Sequence, residues 1–390
     1  MSAPFRLAVV AGEASGDALA LRFLASLRER LGDRELIVSG VGGEALIAAG
    51  LVPLFPQADI AVMGFGPVIA RLPLLLRRME DAARGIAAFA PDLLLTIDAP
   101  DFCLRVAKKV RNRAPSIPIA HWVCPSVWAW RSGRARRMAP HVDRILALLP
   151  FEPAALERLH GPRTIYVGHP LIERLETLRP DAREAAIRAD VAAPVVLILP
   201  GSRRSEIRHL LPVFGEAVAR IATSNPAARV VLPAVPHLCE EIAQMAATWA
   251  VRPEIVVGEA EKLAAFRMAR AALAASGTVT LELALAQVPT VAAYRGAGWE
   301  AAIARRLIKL PSVILPNLIL GRSVVPEFIQ DDATAETLSR HVLAALADGP
   351  ERERQLDGFA EVETIMKSAG VSPAANAVEA ALALVQARLA

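Results

Sequence analysis

The chain has 390 residues, of which 54% are hydrophobic and 22% charged, and its formal net charge is +4 at pH 7. This length favours two domains, and the balance of apolar and charged residues is typical of a globular protein. The composition excludes a disordered chain. No run of about 18 uncharged apolar residues occurs, so we expect no transmembrane helix.

Short aliphatic runs alternate with helix-length segments along the chain. We predict strands at residues 6–11, 35–39, 92–97, 117–122, 144–148, 195–200, 229–234, 254–258, 271–276 and 290–294. Helices are predicted between them, for example at 18–30, 207–222 and 279–286, and residues 351–390 read as helix only. Apolar strands that alternate with helices indicate parallel sheets covered on both faces. Gly168 and Pro170 interrupt the pattern, so we expect two doubly wound halves on either side of them.

In open parallel sheets, ligands bind beyond the carboxyl ends of the strands, so the loops after strands are the candidate sites. The first loop is AGEASGD at residues 11–17, whose glycines let backbone N–H groups approach a ligand at a helix start. It lacks the GxGxxG spacing of a dinucleotide site and the lysine of a P-loop. The alternative is a plain strand-to-helix turn capped by Ser15 or Asp17.

Residues 61–80 are apolar but too short and too interrupted to span a bilayer. Arg71, Arg77 and Arg78 flank the run LPLLL, a pattern typical of an element at a membrane surface, and a core helix is the alternative. Arginine supplies 39 of the 44 basic residues. The guanidinium group suits phosphates and anionic lipid head groups, although a compositional bias of the genome also explains the excess. A second cluster of arginines lies at 131–137.

Asp98 and Asp101 follow the predicted strand 92–97, in the sequence TIDAPDF. A carboxylate just beyond a buried strand is partly desolvated, which raises its pKa and suits it to accept a proton. Asp98 is therefore the candidate general base, with a turn-forming role as the alternative. For Asp101 the favoured role is the N-cap of a helix that begins at Phe102.

Two loops of the second half are candidates for binding phosphate. In LPGSRRSEI, Ser205 is predicted to cap the next helix, which leaves Arg203 to face a phosphate or solvent. In ASGTVTLE, residues 276–278 form the first turn of a predicted helix, whose unpaired N–H groups favour an anion. Glu282 lies one turn further along, on the face of Thr278, where it accepts hydrogen bonds from ribose hydroxyls or is an ordinary helix residue.

We expect neither a metal nor another cofactor. The seven histidines show no HxxxH or HExxH spacing, and the sequence contains no GxSxG motif. Cys103, Cys124 and Cys239 form no CxxC pair and are too few for a disulfide framework, and the N-terminus carries no cleavage-like site. These features predict a cytosolic protein.

Ten motifs occur in an order that resembles the lipid-A-disaccharide synthase family of Gram-negative bacteria. They are AGEASGD, GVGG, MGF, TIDAPDF, HWVCPSVWAWR, LPFE, VGHPL, LPGSRRSEI, ASGTVTLE and LPNLILGRSVVPEFIQ. Each motif alone is common, whereas the ordered series is highly specific and extends over nearly the whole chain.

The resemblance implies a fold of the GT-B glycosyltransferase type. This is an α/β protein of two Rossmann-like, doubly wound parallel-sheet domains that face a cleft, with C-terminal helices that cross back or are exchanged. The expected domains are an acceptor- and membrane-facing domain over residues 1–170 and a UDP-binding domain over residues 171–345. The C-terminal helices at 346–390 are expected to pack on the first domain or on a partner.

The resemblance also implies an inverting hexosyltransferase of lipid A and lipopolysaccharide biosynthesis. The donor is UDP-2,3-diacylglucosamine, the acceptor is 2,3-diacylglucosamine 1-phosphate (lipid X), and the products are a β-1',6-linked disaccharide 1-phosphate and UDP. The protein is expected at the cytoplasmic face of the inner membrane, bound peripherally to anionic lipids. A homodimer is a further prediction, and no nucleic acid partner is expected.

The family's functional residues are carried over by position. Asp98 resembles the catalytic carboxylate. Substrate and nucleotide contacts are predicted for Gly12, Glu13, Ser15, Asp17, His121, Arg203, Ser276, Gly277, Thr278, Glu282, Asn317 and Arg322. Two positions depart from the family pattern, because Pro67 stands where the family usually has Glu and Cys124 where Ser is common. We therefore assign no site role to position 67.

Three of the five tryptophans lie in the segment HWVCPSVWAWR. Trp128 and Trp130 are predicted to extend toward the site, where their rings exclude water or pack on sugar and acyl chains. Core packing is the alternative, and it is favoured for Trp122, which still belongs to a strand.

Two other kinds of protein remain alternatives at this point. A UDP-sugar epimerase or hydrolase shares the expected architecture. A nonenzymatic adaptor at the membrane surface would use the arginine clusters alone. A dehydrogenase is disfavoured because the dinucleotide fingerprint is missing.

Overall fold

The computed structural model describes residues 3–61, 71–296, 312–370 and 372–389. The chain divides into two compact units. Unit 1 comprises Met1–Pro170 together with Ala369–Ala390, and unit 2 comprises Leu171–Ser368. Each unit has its own parallel sheet and its own core.

Unit 1 contains a seven-stranded sheet in the order β3-β2-β1-β4-β5-β6-β7, with all of these pairs parallel. Its strands are β1 (Phe5–Ala11), β2 (Leu36–Val41), β3 (Leu51–Pro53), β4 (Leu93–Ile97), β5 (Ile119–Trp122), β6 (Arg144–Ala147) and β7 (Arg163–Tyr166). Its helices are α1 (Ala14–Leu31), α2 (Glu44–Ala48), α3 (Leu72–Phe89), α4 (Pro100–Arg113), α5 (Gly133–Met138), α6 (Glu152–Arg158) and, at the C-terminus, α16 (Pro373–Leu389). Since the strands are parallel, their carboxyl ends share one edge of the sheet.

Unit 2 contains a six-stranded sheet in the order β10-β9-β8-β11-β12-β13, also with parallel pairs. Its strands are β8 (Val195–Leu199), β9 (Arg229–Ala234), β10 (Glu254–Val257), β11 (Ala271–Ala275), β12 (Thr290–Tyr294) and β13 (Glu327–Ile329). Its helices are α7 (Leu175–Leu178), α8 (Ala182–Ala189), α9 (Arg204–Ser224), α10 (Cys239–Ala246), α11 (Glu259–Met268), α12 (Val279–Leu285), α13 (Leu315–Leu320), α14 (Ala335–Leu346) and α15 (Pro350–Met366).

The strands are apolar throughout because helices cover both faces of each sheet. In β1, Leu7 and Val9 pack with side chains of α1 and α16, whereas Ala8 and Val10 pack with side chains of α3 and α4. All four residues are fully buried. A strand buried on both faces reads as a continuous apolar run, which is the pattern that made it predictable.

The predicted fold of two doubly wound parallel sheets is confirmed. All ten predicted strands are present, with each boundary within two residues of its predicted position. Three strands are not predicted by the sequence analysis, namely β3, β7 and β13. Each has three or four residues and lies at an edge of its sheet. Edge strands have a neighbour on one side only, so they are short and carry polar residues such as Arg163.

The two long C-terminal helices belong to different units. Phe359 of α15 is buried in the core of unit 2, whereas Ala377 and Ala381 of α16 are buried against the sheet of unit 1. No single helix of the described residues is long and apolar enough to cross a membrane. The bent pair Pro350–Ala369 and Pro373–Arg388 reaches that length and composition only when its two helices are taken together.

The pairing of β1 with β2 depends on Gly40, which lies opposite Val9 with a φ of 147°. A Cβ at this position would overlap the carbonyl oxygen of Val9. We expect Gly40→Ala to lower the free energy of unfolding by about 3 kcal/mol or more, because backbone atoms cannot move aside as a flexible side chain can. Urea denaturation measures the change.

The matched control is Gly349→Ala. Gly349 has an extended backbone, with a φ of 169°, and nothing lies within 4 Å of its added Cβ. An equal loss of stability in both variants would contradict the prediction.

Candidate active site

The predicted site loops follow the strands at which the strand order reverses. In unit 1 the order reverses between β1 and β4, and in unit 2 between β8 and β11. Ligands of doubly wound sheets bind at such points, beyond the carboxyl ends of the two strands. The loop at 11–17 follows β1 and Asp98 follows β4, while Arg203 and the segment 276–278 follow β8 and β11.

Asp98 lies at the carboxyl end of β4. Its backbone adopts a φ of 50°, and its N–H donates to the carbonyl oxygen of Trp122 at 2.9 Å. Burial raises the pKa of the Asp98 carboxyl group, and a hydrogen bond from the backbone of Ala99 opposes this only in part. Among the described residues Asp98 forms no ion pair. It is therefore a partly buried carboxylate with raised proton affinity, as general base catalysis requires.

The loop after β1 touches the loop after β4. Gly12 is buried, and a Cβ on it would come within 2.7 Å of the Ala99 Cβ, so only glycine allows this approach. Glu13, the next residue, is exposed. Burial raises the pKa of the Cys103 thiol to about 12, and the charges of Asp98 and Glu13 act in the same direction. The structure thus brings Gly12, Glu13 and Asp98 to one edge of the sheet.

Helix α1 begins at Ala14 and no side chain caps it. The alternative of a cap at Ser15 or Asp17 is therefore wrong, because both residues already lie within the first turn. Ser15 is exposed there. Asp17 is buried, and its carboxylate accepts hydrogen bonds from the Gly43 N–H at 3.1 Å and the Gln57 amide at 3.0 Å. Asp17 thus joins α1 to the loop after β2, and its predicted ligand contact stays a prediction.

His121 is fully buried within β5. Its Nδ1 lies 2.8 Å from the Thr96 hydroxyl oxygen, and its Nε2 has no partner among the described residues. Burial, followed by the positive charge of Arg134, lowers the pKa of His121 to about 3. The imidazole is neutral at physiological pH, and its predicted substrate contact stays a prediction.

Asp101 does not cap a helix that begins at Phe102. Helix α4 begins two residues earlier, at Pro100, with Ala99 at the N-cap position. The carboxylate of Asp101 is exposed and forms an ion pair with Arg134. The prediction failed because proline favours the first turn of a helix and moved its start.

The three tryptophans of HWVCPSVWAWR have different surroundings. Trp122 is fully buried, with its ring centroid 6.0 Å from that of Phe23, so it packs in the core. Trp128 is partly buried and packs edge to face on Phe151 at 4.9 Å. Trp130 is 40% exposed, and the Arg131 guanidinium lies 4.1 Å from the centre of its ring.

Sequence reasoning missed the residue that holds Trp128 in place. Glu152 is buried and accepts hydrogen bonds from the Trp128 indole at 3.1 Å and the Leu149 N–H at 3.0 Å. Burial raises the pKa of Glu152 to about 7. The motif LPFE contained a signal, because an acidic residue that directly follows an apolar run needs a partner if it is buried.

In unit 2, five predicted residues line one cavity of about 590 Å³. They are Arg203, Ser276, Gly277, Thr278 and Glu282. The cavity is also lined by Pro236 and by the α11 residues Glu259 and Lys262, which sequence reasoning missed. Pro236 follows β9, and Glu259 and Lys262 follow β10.

Arg203 lies just before α9, which begins at Arg204. The expected cap at Ser205 is wrong, because the Glu206 carboxylate accepts the backbone N–H groups of Ser202 at 3.2 Å and Arg203 at 3.3 Å. Gly201 adopts a φ of 108°, and an added Cβ would overlap the Glu206 carboxylate. The Arg203 side chain is 80% exposed at the cavity, so its guanidinium is accessible to a ligand.

The segment 276–282 forms another part of the cavity wall. The Ser276 hydroxyl oxygen is buried without a partner among the described residues, and Gly277 and Thr278 are exposed ahead of α12. One carboxylate oxygen of Glu282 forms an ion pair with Lys262 at 2.6 Å. A hydroxyl, accessible backbone and a fixed carboxylate thus line one side of the cavity.

Asn317 and Arg322 do not line this cavity. The Asn317 amide is buried, where it accepts from the N–H groups of Val324 and Val325 at 2.9 Å and donates to the Val325 carbonyl at 3.0 Å. Arg322 forms an exposed ion pair with Glu361. Their predicted nucleotide contacts stay predictions. The departure at Pro67 lies outside the described residues, as does most of the first half of segment 61–80.

Comparison with known proteins decides the family. A family model described as lipid-A-disaccharide synthetase matches residues 7–381. The lipid-A-disaccharide synthase of Nitrobacter winogradskyi is 51% identical over 374 residues, which cover 96% of this chain and 94% of the relative. That of Rhodopseudomonas palustris strain HaA2 is 49% identical over 377 residues, which cover 97% and 95%. The chain belongs to the lipid-A-disaccharide synthase family. Members of this family are glycosyltransferases, so the predicted enzyme class is confirmed.

Solved structures share the fold at low sequence identity. A putative UDP-N-acetylglucosamine 2-epimerase from Listeria monocytogenes is 15% identical with a TM-score of 0.60, covering 99% of this chain and 97% of that one. The calicheamicin glycosyltransferase CalG4 is 17% identical with a TM-score of 0.58, covering 99% and 100%. These likenesses show the fold alone. The predicted GT-B type is confirmed. The epimerase alternative is supported only by this likeness of fold.

The predicted diphosphate contact can be tested at Gly277, because nothing lies within 4 Å of a Cβ added there. We expect Gly277→Leu to fold normally but to fill part of the unit 2 cavity. The dissociation constant for UDP, measured by calorimetry, should rise at least about tenfold, or 1.4 kcal/mol. Gly349→Leu places the same side chain in open space outside the cavity and should bind UDP as the unsubstituted protein does. Equal affinities in both variants would remove Gly277 from the site.

Proposed function

We propose that this glycosyltransferase joins UDP-2,3-diacylglucosamine to 2,3-diacylglucosamine 1-phosphate and releases UDP. The observation that carries the proposal is the match to lipid-A-disaccharide synthases over 96% of the chain, with the motif loops at the two points of strand-order reversal. The product is a β-1',6-linked disaccharide 1-phosphate that carries four acyl chains.

In the proposed reaction the oxygen of the acceptor 6-hydroxyl attacks the anomeric carbon of the donor. The bond between that carbon and the β-phosphate oxygen breaks on the opposite face, so the configuration is inverted. The hydroxyl proton passes to Asp98, and UDP leaves with the bonding electron pair. The raised pKa of Asp98 and its lack of an ion pair among the described residues support this role.

The cavity of unit 2 is proposed to hold UDP. Arg203 and the segment 276–278 bind the diphosphate and stabilise the charge that develops on the β-phosphate, and Glu282 accepts hydrogen bonds from the ribose. Fixed donors of this kind contribute about 3 kcal/mol each to transition states. Of the described carboxylates that line the cavity, Glu206, Glu259 and Glu282 are all ion-paired, at 3.1, 2.6 and 2.6 Å, so the base is assigned to Asp98 in unit 1.

Asp98→Asn and Asp98→Ala test the base. With both acylated substrates, mass spectrometry should detect the disaccharide from the unsubstituted protein, and turnover of either variant should fall about 100-fold or more. UDP should raise the melting temperature of the variants as before. Near-normal turnover would remove Asp98 from the role.

The pH profile follows from the raised pKa of Asp98. The base must be ionised, so kcat/KM should decrease as the pH falls through its pKa, with a midpoint above the ordinary 3.8 of an aspartate. This limb should be absent from the residual activity of Asp98→Asn.

The acyl chains of both substrates require an enzyme that works at a membrane surface. We propose that the chain binds peripherally to the anionic cytoplasmic face of the inner membrane through the first turns of α3. Leu72 and Leu76, one turn apart, are 44% and 45% exposed, and Arg71 and Arg77 beside them are also exposed. An apolar strip flanked by arginines suits an anionic interface. Arg78 is unavailable, because it pairs with Asp59 at 2.7 Å.

The double variant Leu72→Ser with Leu76→Ser tests this contact. Each exposed leucine is worth on the order of 1 kcal/mol at an interface, so partitioning onto phosphatidylglycerol vesicles should fall at least about tenfold. Co-sedimentation measures it. The matched control is Ile47→Ser with Val52→Ser, which changes two exposed apolar residues of α2 and β3. This double variant should partition normally. Equal loss in both pairs would contradict the proposed contact.

A further inference from the structure

A cationic cavity lies between α4 and α5 in unit 1. Asp101, Arg105 and Lys108 project into it from successive turns of α4, and Arg134 and Arg137 from α5. Its volume is about 590 Å³, within the range of small-molecule sites. We call this cavity the arginine groove. The arginines at 131–137 form the second arginine cluster of the sequence, and the proposed UDP site uses none of them.

The charge of the arginine groove is not balanced by the protein. With Arg131 from the preceding turn, five cationic side chains line it against one carboxylate. Of these five cations, Arg134 alone forms an ion pair among the described residues, with Asp101. Like charges held together in one cavity repel each other, and a bound anion relieves that repulsion.

The other faces of α4 show that this imbalance is local. Lys109 pairs with Glu80 at 2.9 Å, Arg113 also pairs with Glu80, and Arg111 pairs with Asp143 at 2.5 Å. Each cation that faces away from the groove therefore has a carboxylate partner. The two cations of α4 without an ion pair among the described residues, Arg105 and Lys108, both line the groove.

The inner wall of the groove suits the ring of a sugar beneath the charged rim. Leu104 and Met138 are buried there and supply apolar surface. His141 is half-buried, and its Nδ1 is a buried polar atom without a partner among the described residues. Apolar surface with a few polar atoms is typical of sugar and small-molecule sites.

The arginine groove begins two residues after the proposed base, since Pro100 and Asp101 form its near end. We infer that the groove binds the 1-phosphate of the glycolipid acceptor and so holds the acceptor sugar with its 6-hydroxyl at Asp98. This inference rests on the proposed function. It assigns the phosphate-binding role to Arg105, Lys108 and Arg137, which no family motif quoted above contains.

A phosphomonoester fits this groove better than a phospholipid head group does. A phosphomonoester carries a charge of about −1.5 to −2 at pH 7, whereas a diester carries one, and the excess of cations favours the larger charge. The cations also lie beside a half-buried wall next to the base. The apolar strip of α3, by contrast, offers leucines that a membrane contact requires.

The test uses Arg105→Gln, Lys108→Gln and the double variant of the full chain. Initial rates are measured with the acceptor and the donor varied in turn. Each single variant should raise KM for the acceptor at least tenfold, with kcat and KM for the donor within twofold. Arg136→Gln is the matched control, because Arg136 is exposed on the same helix as Arg134 but does not line the groove. Unchanged melting temperatures and UDP-induced shifts establish that the variants fold.

An acceptor that lacks the 1-phosphate separates charge recognition from a general loss of fit. The unsubstituted protein should use it with kcat/KM reduced at least tenfold, and the groove variants should match the unsubstituted protein on this substrate. A further loss in the variants would show that the cations act on something other than the phosphate, which would overturn the inference.

Binding to phosphatidylglycerol vesicles distinguishes the two sources of phosphate. The groove variants should bind vesicles as the unsubstituted protein does. A loss of vesicle binding that accounts for the rise in KM would assign the groove to the membrane and overturn the inference. If the variants are active and their KM for the acceptor does not change, the inference is overturned and the proposed function is not. If the unsubstituted protein forms no disaccharide, the proposed function fails and the inference fails with it.

Discussion

The position of the Asp98 carboxylate depends on the close approach of two loops at the carboxyl edge of the unit 1 sheet. Adjacent parallel strands deliver the loops after β1 and β4 side by side, and Gly12 lets them touch because it has no Cβ. Asp98 and Ala99 both take positive φ, which turns the chain sharply into α4. Such conformations cost of order 1 kcal/mol or more for residues other than glycine and persist where the surrounding structure enforces them. The carboxyl group is thereby held partly buried, which raises its pKa.

The two units differ in how they treat their ionisable groups. The carboxylates described around the unit 2 cavity are held by cations, a state that suits fixed hydrogen-bond acceptors and donors around a nucleotide. Burial dominates at three ionisable residues of unit 1, since it raises the pKa of Asp98 and Glu152 and lowers that of His121. A proton acceptor requires the second kind of environment and a diphosphate site the first. The proposed division of chemistry between the two sheets agrees with these different surroundings.

Sequence reasoning succeeded where burial leaves a pattern. Central strands are covered on both faces, so their apolar runs predicted the sheets and therefore the strand-end loops that contain Asp98 and Gly277. It failed where a few local atoms decide. Helices α1, α4 and α9 each begin earlier than the candidate caps Ser15, Asp101 and Ser205 indicated, because the first turns have other partners or contain proline. Glu152 and Lys262 were missed since their roles depend on partners distant in sequence.

Helix α4 begins two residues after the proposed base and carries part of the arginine groove. Phe102, Cys103, Val106 and Val110 are buried on its inner face, so the helix is fixed against the sheet. Arg105 lies five residues, or about 8 Å along the helix axis, beyond the start of α4 at Pro100. Since Asp98 lies two residues before this helix, the proposed acceptor site would select an acceptor by the distance between its hydroxyl and its phosphate.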